Sequence, residues 1–363
     1  MRLVMTLRAR DEADIVDAQI AFHLNAGVDY VIATDHRSSD GTTEILESYA
    51  RDGYLHLTRE EGDGIGADWV TRMARLAATN FGADWIINAD ADEFWWPRGG
   101  SLTDVLASVP ARYGIVRGLW RHFIPRPGDD AFFAERMTVR ASPRAPLNVP
   151  ASPYRPDQKS AHRATPEVTV GRGNHDLLSG GLVPLRGWYP IEILHFRLRS
   201  PEQAARKFAA SWDAWSRSAG GAPTALAAAG AASGRDGTLT EFYDSLGVDE
   251  DALARGIADG SLVVDARLRD VLRALRLDPD VVTSESRAFR VPGTGDVLRL
   301  PHPSIADDAA YAVDVSALDE ANGVRLQRRV DGLERRLASL EQAAVWPKIK
   351  ARVRRASGGV RRP

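Results

Sequence analysis

Residues 85–94 read WIINADADEF, an apolar run that ends in three acidic residues, Asp90, Asp92 and Glu93. Such a run is typical of a buried strand that emerges at the edge of a sheet. Because side chains alternate along a strand, the carboxylates of Asp90 and Asp92 are expected to point the same way. Two such carboxylates repel each other unless a positive charge lies between them, and oxygen ligands of this kind suit Mg²⁺ or Mn²⁺. The stretch therefore predicts half of a metal site, and the simpler alternative is a polar strand end with capping acids.

The residues that precede this stretch alternate between strand-like and helix-like patterns. Apolar runs that predict strands lie at 3–7, 30–34 and 54–57. The first helix between them is predicted to start with Asp11 as its N-cap and to end at Gly27. Strands that alternate with helices at this spacing predict a parallel sheet.

Polar clusters follow three of the four predicted strands. They lie at 8–12, 35–42 and 90–93. In a parallel sheet the carboxyl ends of the strands form one edge, and ligands bind in the crevice beyond that edge. The three clusters are therefore expected to converge on one site.

The second half of the chain has a different pattern. After Trp96 the alternation gives way to Pro-rich segments and to isolated strand candidates at 114–120, 133–140, 168–170 and 191–196. This pattern predicts a mixed or antiparallel region. The pattern of 201–277 is helical, with an interruption at 220–237 that is rich in Ala, Gly and Ser. We predict a flexible loop at this interruption, which would act as a lid or a linker.

The C-terminal region has an apolar heptad and a basic tail. Apolar residues follow a heptad spacing over two to three heptads, at Leu326, Val330, Leu333, Leu337 and Leu340. The spacing predicts a short helix for self-association or docking. The tail carries basic residues and no acid, at Lys348, Lys350, Arg352, Arg354, Arg355, Arg361 and Arg362. Such a tail is either a solvated extension or a contact for an anionic lipid or polymer.

The composition narrows the function classes. The 363 residues are 44% hydrophobic and 26% charged, as in an ordinary globular protein, and the net charge of −2 gives no general attraction to nucleic acid. The chain has no cysteine, which excludes disulfides, zinc thiolate sites and a thiol nucleophile. The N-terminus lacks the apolar core of a signal peptide, and no stretch approaches the roughly 18 apolar residues of a membrane span. The cytoplasm is the simplest location, with peripheral membrane contact through the basic tail as an addition.

The motifs of residues 1–96 together resemble the family 2 glycosyltransferases and their GT-A fold, in particular a subgroup with an Asp-Ala-Asp-Glu-Phe metal motif. The resemblance rests on Arg10-Asp11-Glu12, on Asp35 with Ser38-Ser39-Asp40-Gly41-Thr42, and on Asp90-Ala91-Asp92-Glu93-Phe94. It implies the α/β fold of nucleotide-diphospho-sugar transferases, a mixed and mostly parallel sheet flanked by helices, with a helical C-terminal extension.

The expected domains follow from this fold. They are a catalytic domain at 1–200, with a nucleotide-binding half at 1–96 and an acceptor half at 97–200, a helical extension at 201–300, and a C-terminal helix with the basic tail at 320–363.

The same resemblance implies roles for single residues of the first half. Leu7 and Arg8 would line the base pocket, and Asp35 would approach the base or the ribose. Asp90 would lie near the ribose, and Asp92 would coordinate the metal. Glu12, in the polar cluster after the first strand, is a further candidate for binding the nucleotide.

A polar series in the second half supplies further candidates. It comprises Lys159, His162, Arg163, Asn174, His175, Asp176 and His195. His195 or His175 would complete the metal shell, as a histidine often does in GT-A enzymes, although a lone histidine on an apolar strand is often structural. Lys159 and Arg163 would neutralise the diphosphate, as would Arg197 and Arg199, whereas surface ion pairs are the simpler explanation.

The catalytic base has no unmistakable counterpart in this sequence. Asp176, Glu135 and Glu192 are the candidates, in that order. The resemblance implies that such a carboxylate removes a proton from the acceptor hydroxyl and that the transfer inverts the anomeric centre.

These features favour a metal-dependent glycosyltransferase with a nucleotide-diphosphate sugar as donor, first of all a UDP-sugar, and a glycan or glycolipid hydroxyl as acceptor. A nicotinamide dehydrogenase would need a glycine-rich turn after the first strand, where residues 8–12 contain no glycine. An aspartyl-phosphate phosphatase would carry its Asp-X-Asp pattern after the first strand. The remaining alternative is a catalytically silent scaffold that binds a nucleotide sugar or a glycan.

Overall fold

The computed structural model of the protein describes residues 1–62, 67–126, 131–143, 154–216, 225–277, 287–293 and 297–357. The strands within these ranges are β1 (Leu3–Ala9), β2 (Tyr30–Asp35), β3 (Leu55–Arg59), β4 (Trp85–Asp90), β5 (Glu93–Pro97), β6 (Ile115–His122), β7 (Val139–Ala141), β8 (Gln158–Arg163), β9 (Thr169–Val170), β10 (Leu177–Ser179), β11 (Ile191–His195) and β12 (Leu262–Val264). The α-helices are α1 (Val16–Asn25), α2 (Thr42–Arg51), α3 (Ala67–Asn80), α4 (Leu102–Ala107), α5 (Phe133–Arg136), α6 (Pro201–Ser216), α7 (Ala225–Asp236), α8 (Leu239–Ser245), α9 (Glu250–Asp259), α10 (Arg267–Leu275) and α11 (Ile305–Ser357).

One large sheet organises the fold. Its eight strands lie in the order β3-β2-β1-β4-β8-β6-β11-β5. Strands β8 and β5 run against their neighbours, and the other strands run parallel to one another. The expected mixed, mostly parallel α/β sheet is therefore confirmed. The predicted domain boundaries remain predictions.

The alternation of side chains along β1 divides the core between the two faces of the sheet. Leu3, Met5 and Leu7 belong to the larger apolar cluster, together with residues of α1 and α2. Val4 belongs to a second cluster with residues of α3, among them Val70 and Met73. A strand that buries both faces reads as a continuous apolar run, which is why 3–7 is recognisable in the sequence.

The loop between β1 and α1 differs from its prediction. We expected Asp11 to be the N-cap of the first helix, but α1 begins only at Val16. Asp11 instead adopts a φ of 52°, and its carboxylate accepts hydrogen bonds from the backbone N–H of Ser39 at 2.8 Å and from the hydroxyl of Ser39 at 3.1 Å. The acid thereby ties the first polar loop to the second.

Two predictions in the second half are wrong in part. The strand expected at 133–140 begins instead as α5, and only its end contributes to β7. The flexible loop expected at 220–237 contains α7, while 220–224 lie outside the described residues. Gly230 of α7 lies so close to the ring of Phe208 on α6 that an added Cβ would meet it at 2.3 Å. The small residues thus allow close helix packing, and alanine itself favours helix.

The first part of α11 lies against the sheet. The ring of Tyr311 stacks under the guanidinium of Arg98 at 3.7 Å, and its hydroxyl donates to the carbonyl of Tyr189 at 2.7 Å. Asp314 accepts a hydrogen bond from Arg121 at 2.6 Å. Among the helices that the structure describes, none combines the length and the apolar character needed to cross a bilayer.

A buried carboxylate lies at the centre of this contact. Glu192 of β11 is 2% exposed, and its oxygens accept hydrogen bonds from Arg121 at 2.6 Å and from Arg267 at 2.8 Å. Burial alone would raise the pKa of Glu192, but the arginines outweigh burial and hold the pKa well below its usual range. A buried carboxylate in such a network is costly to remove, because its cationic partners stay buried.

We expect Glu192→Gln to lower the free energy of unfolding by about 3–5 kcal/mol, because the buried Arg121 loses one of its two carboxylate partners. Urea unfolding followed by circular dichroism gives the value. The matched variant Glu250→Gln, which removes a carboxylate that is 81% exposed and pairs with Arg126, should change it by less than about 1 kcal/mol. Equally small changes in both variants would contradict a structural role for Glu192.

Candidate functional site

The candidate site lies at the carboxyl ends of β1 and β4, where the acidic stretch leaves the sheet. β4 ends at Asp90, and β5 begins at Glu93. His195 of β11 lies opposite Glu93 in the ladder, and His122 of β6 lies opposite His195. The sheet order therefore places two histidines beside the acids.

Three side chains of this group form a compact set of possible metal ligands. Asp92, Glu93 and His195 each offer a ligand atom, and these atoms lie within 4.8 Å of one another. The Nε2 atom of His195 lies 3.5 Å from an oxygen of Asp92. All three residues are buried.

The orientation of the His195 ring is fixed by its neighbours. The ring stacks on Trp120, with 4.5 Å between centroids and 22° between planes. Its Nδ1 atom lies 3.1 Å from Nδ1 of His122, whose Nε2 lies 3.1 Å from the carbonyl oxygen of Arg155. Nε2 of His195 is thus left to face Asp92. Burial lowers the pKa of His195, which favours the neutral imidazole that binds metals.

Three different groups contact the carboxylate of Glu93. Its oxygens accept hydrogen bonds from the indole N–H of Trp120 at 3.0 Å and from the backbone N–H of Asp90 at 3.2 Å. The ammonium group of Lys159 lies 2.8 Å away. Burial raises the pKa of Glu93 to about 8, although Lys159 acts in the opposite direction.

Two lysines neutralise the acids of the cluster. Lys159 of β8 is 1% exposed and lies between Glu93 and Asp90, at 2.7 Å from the latter. Lys207 of α6 contacts Asp92. Burial would raise the pKa of both aspartates, but Lys159 and Arg8 lower the pKa of Asp90 to about 2, and Lys207 and His195 hold that of Asp92 well below its usual range.

The chemistry of the donors fits a divalent cation. Two carboxylates and an imidazole suit Mn²⁺, and carboxylates suit Mg²⁺. Lys207 competes for Asp92, but its side chain is 27% exposed and can swing away without burying a charge. Lys159, in contrast, is 1% exposed and lies between Asp90 and Glu93. A cation at Asp92 would therefore have to displace Lys207.

The predicted ligands divide into two groups. Asp92 and His195 belong to the compact set, whereas Asp90 is paired with Lys159 and with Arg8, at 3.3 Å. His175 lies with Nδ1 2.7 Å from the carbonyl oxygen of Gln158 and 3.4 Å from a carboxylate oxygen of Asp157. Its ring meets Trp120 edge-on at 5.1 Å between centroids. Neither Asp90 nor His175 is part of the three-residue set.

Glu12 borders the site from the loop after β1, and Asp35 is the last residue of β2. Glu12 contacts Arg199 and lies 3.8 Å from Lys207. Asp35 accepts a hydrogen bond from the backbone N–H of Ser38 at 3.2 Å and therefore orders its own loop.

Two predicted nucleotide-binding residues are not brought to the cluster. Leu7 is fully buried in the apolar core and lines no open surface. Arg163 lies opposite Trp85, at the amino end of β4, and donates to the carbonyls of Tyr113 at 2.9 Å and of Val109 at 3.0 Å. The five residue steps from Trp85 to Asp90 span about 17 Å, which is too far for Arg163 to reach a diphosphate at Asp90.

The three candidates for the catalytic base each pair with arginine. Asp176 is 58% exposed and lies 2.9 Å from Arg117. Glu135 contacts Arg273, and this hydrogen bond lowers its pKa. Glu192 faces the opposite side of the sheet from His195, because the two are three residues apart on one strand. The assignment of the base remains a prediction.

Sequence reasoning missed three members of the cluster. Glu93 stood in the quoted motif but was given no role, and the pairing of β5 with β11 places it opposite His195. His122 carried no signal beyond the strand pattern. Lys207 lies 115 residues from Asp92 along the chain, and only the tertiary fold joins them.

A cleft opens next to the cluster. Its cavity volume is about 10 Å³, and it is lined by His122, Tyr154 and Arg197, and by Leu226 and Leu246 of the helical extension. Burial lowers the pKa of Arg197, whereas the charge of Asp92 acts to raise it. A cation and an aromatic hydroxyl therefore face an apolar wall beside the possible metal ligands.

The sequence matches no family model, and no curated protein sequence matches it. Among solved structures, a TarS fragment of S. aureus spanning its residues 1–349 matches with 11% identity and a TM-score of 0.30, over 58% of this chain and 65% of that one. TarS in complex with UDP-GlcNAc matches with 10% identity and a TM-score of 0.31, over 58% and 66%. A mycobacterial protein matches with 20% identity and a TM-score of 0.24, over 33% and 41%. The chain thus covers about two thirds of the TarS fragments, and likenesses at these TM-scores transfer neither substrate nor activity to it.

Proposed function

We propose that the protein is a metal-dependent glycosyltransferase that moves a sugar from a nucleotide-diphosphate donor to a hydroxyl of a glycan or glycolipid. The observation that carries the proposal is the meeting of Asp92, Glu93 and His195 at the carboxyl edge of the parallel strands. Ligands of α/β sheets bind in the crevice at this edge. The assignment of glycosyl transfer as the reaction rests on the resemblance of residues 1–96 to the family 2 glycosyltransferases.

Asp92, Glu93 and His195 are the residues that would hold Mn²⁺ or Mg²⁺. When bound, such a cation supplies positive charge to the diphosphate that departs with the nucleotide. Lys207, released from Asp92, is then free to contact the same phosphates. Arg8 at the end of β1 and Arg197 in the cleft add further positive charge on either side of the acids.

The surrounding residues keep these groups in place before a donor arrives. Arg199 donates to Asp14 at 2.6 and 2.7 Å and also contacts Glu12, which lies beside Lys207. Trp120 supports both Glu93 and the ring of His195. A site of this kind stabilises developing charge without having to reorganise during the reaction.

The acceptor would enter through the cleft lined by Tyr154 and Leu226, and a carboxylate would remove its proton. Asp176 remains the first candidate for this base, because it follows His175, whose ring contacts Trp120. Inversion at the anomeric carbon, hexosyl transfer and UDP as the nucleotide belong to the proposal through the motif resemblance.

One observation favours a second function. Lys207 and Lys159 already neutralise the acids that would hold the cation, so the site is electrostatically satisfied without a metal. A catalytically silent protein that binds a nucleotide sugar or glycan would have such a site. Metal-dependent hydrolysis of a donor sugar in the absence of acceptor separates the two functions, because a pure binder shows none.

We expect Asp92→Asn to weaken the binding of the preferred nucleotide diphosphate in the presence of Mn²⁺ by at least about 100-fold, because loss of an outer-shell partner alone costs about 10–100-fold. Calorimetric titrations with UDP, GDP and dTDP, each with Mn²⁺ or with EDTA, measure the effect and identify the base. The control Asp270→Asn alters a carboxylate that is 60% exposed and should leave the affinity unchanged. Tight binding that is indifferent to both EDTA and Asp92→Asn would refute the metal site.

Lys207→Met should have opposite effects on metal and on nucleotide. Without the competing ammonium group, Mn²⁺ alone should bind about tenfold more tightly, as expected for a change of about 1.4 kcal/mol in one charge interaction. The affinity for the nucleotide diphosphate with Mn²⁺ should fall, because one phosphate contact is lost. Arg206→Met, on the exposed neighbouring residue, is the control. Weaker binding of Mn²⁺ alone to Lys207→Met would contradict the displacement of Lys207 by the cation.

A further inference from the structure

The long helix α11 has two parts with different surroundings. In the first part, Tyr311 and Leu318 are buried against Leu119 and Tyr189 of the sheet region. From Leu326 to Glu341 nearly every side chain is exposed. The second part of the helix therefore leaves the globular body with its side chains unpacked.

This exposed part carries an apolar stripe. Its members are 39% to 67% exposed, and they are Leu326, Val330, Leu333, Leu337 and Leu340. Their spacing alternates between four and three residues, which is the a/d pattern of a heptad repeat. Val330 and Leu337 occupy a positions, and the three other leucines occupy d positions. Leucine at d with a β-branched residue at a favours two-stranded coiled coils.

The charges that flank the stripe are sorted by sign. The g positions hold Arg329 and Arg336, and the e positions of the following heptads hold Glu334 and Glu341. All four residues are exposed. In a coiled coil, the residues at e and g lie beside the a/d seam and set partner choice and orientation.

We propose that residues 326–341 form a parallel, in-register coiled coil with a second copy of this chain. In that arrangement each g residue faces the e residue of the next heptad on the other helix, so Arg329 meets Glu334 of the partner subunit and Arg336 meets Glu341 of the partner subunit. An antiparallel pair would instead bring g against g and e against e, which places arginine beside arginine and glutamate beside glutamate. The charge pattern thus favours a second copy of this chain as the partner of the stripe and a parallel orientation of the two helices.

The short seam sets the strength of the association and the shape of the dimer. Sixteen helical residues extend only about 24 Å, so the dimer dissociates on dilution. A parallel coil places both globular bodies at one end of the seam and both C-terminal tails at the other. This dimer is independent of the proposed catalytic activity.

Sedimentation velocity of the full chain between about 1 and 500 µM tests the association, because a homodimer responds to protein concentration. We expect a monomer–dimer equilibrium. The double variant Glu334→Arg and Glu341→Arg should raise the dimer dissociation constant at least about tenfold, because four attractive pairs per dimer become repulsive. Adding Arg329→Glu and Arg336→Glu to the same chain restores the complementarity and should restore the dimer. A monomer at all concentrations, or a dimer unaffected by the double variant, would overturn the proposal.

Single cysteines test the orientation, because the chain has none of its own. In a parallel, in-register coil, Leu326→Cys and Leu340→Cys should each form a disulfide with the same variant under mild oxidation. An antiparallel coil would cross-link only a mixture of the two variants, and that result would overturn the proposed direction. Ser339→Cys, on the outer side of the helix, is the control and should not cross-link. Unchanged urea unfolding of each variant verifies that the globular body remains folded.

Discussion

The crowding of three acidic side chains within four residues, two of them buried, is the constraint on which the rest of the site depends. Asp90, Asp92 and Glu93 leave the sheet together, and carboxylates that are buried without compensation cost many kcal/mol. The acids are compensated by distant parts of the chain. Lys159 serves Asp90 and Glu93, while Lys207 and His195 serve Asp92. The cluster is stable only because the surrounding elements deliver cations and donors to it.

The order of the strands follows from this requirement. β8 inserts between β4 and β6 and runs against both, which brings Lys159 to the end of β4 where Asp90 lies. β11 then places His195 opposite Glu93, and β6 contributes Trp120 between them. The side chains on the other face of β11 have a different task. Glu192 pairs there with Arg121 and Arg267, and Arg121 in turn pairs with Asp314 in the first part of α11.

The sequence predicts the first half of the fold well, because its signals are local. The apolar runs that become β1, β2 and β4 are continuous, since both faces of these strands are buried, and the acids at the end of β4 stand out from them. The second half escapes prediction because its elements depend on distant partners. Phe133 begins a short helix instead of a strand where it packs against Phe196, and the Ala-rich segment becomes α7 because its small residues fit against Phe208. Arg163 was predicted to bind phosphate, but the pairing of β8 with β4 places it opposite Trp85, at the amino end of β4 and away from Asp90.

The same argument explains why Lys207 is the least predictable residue of the site and the most informative. No sequence signal near Asp92 predicts the contact with Lys207, yet a cation bound at Asp92 would have to displace this lysine. It lies on α6, which packs against α7 and α8, and these helices contribute Leu226 and Leu246 to the wall of the cleft. The helix that carries Lys207 therefore packs against the helical region that forms part of the wall of the cleft. One packed group of helices thus determines both the position of Lys207 and part of the shape of the cleft.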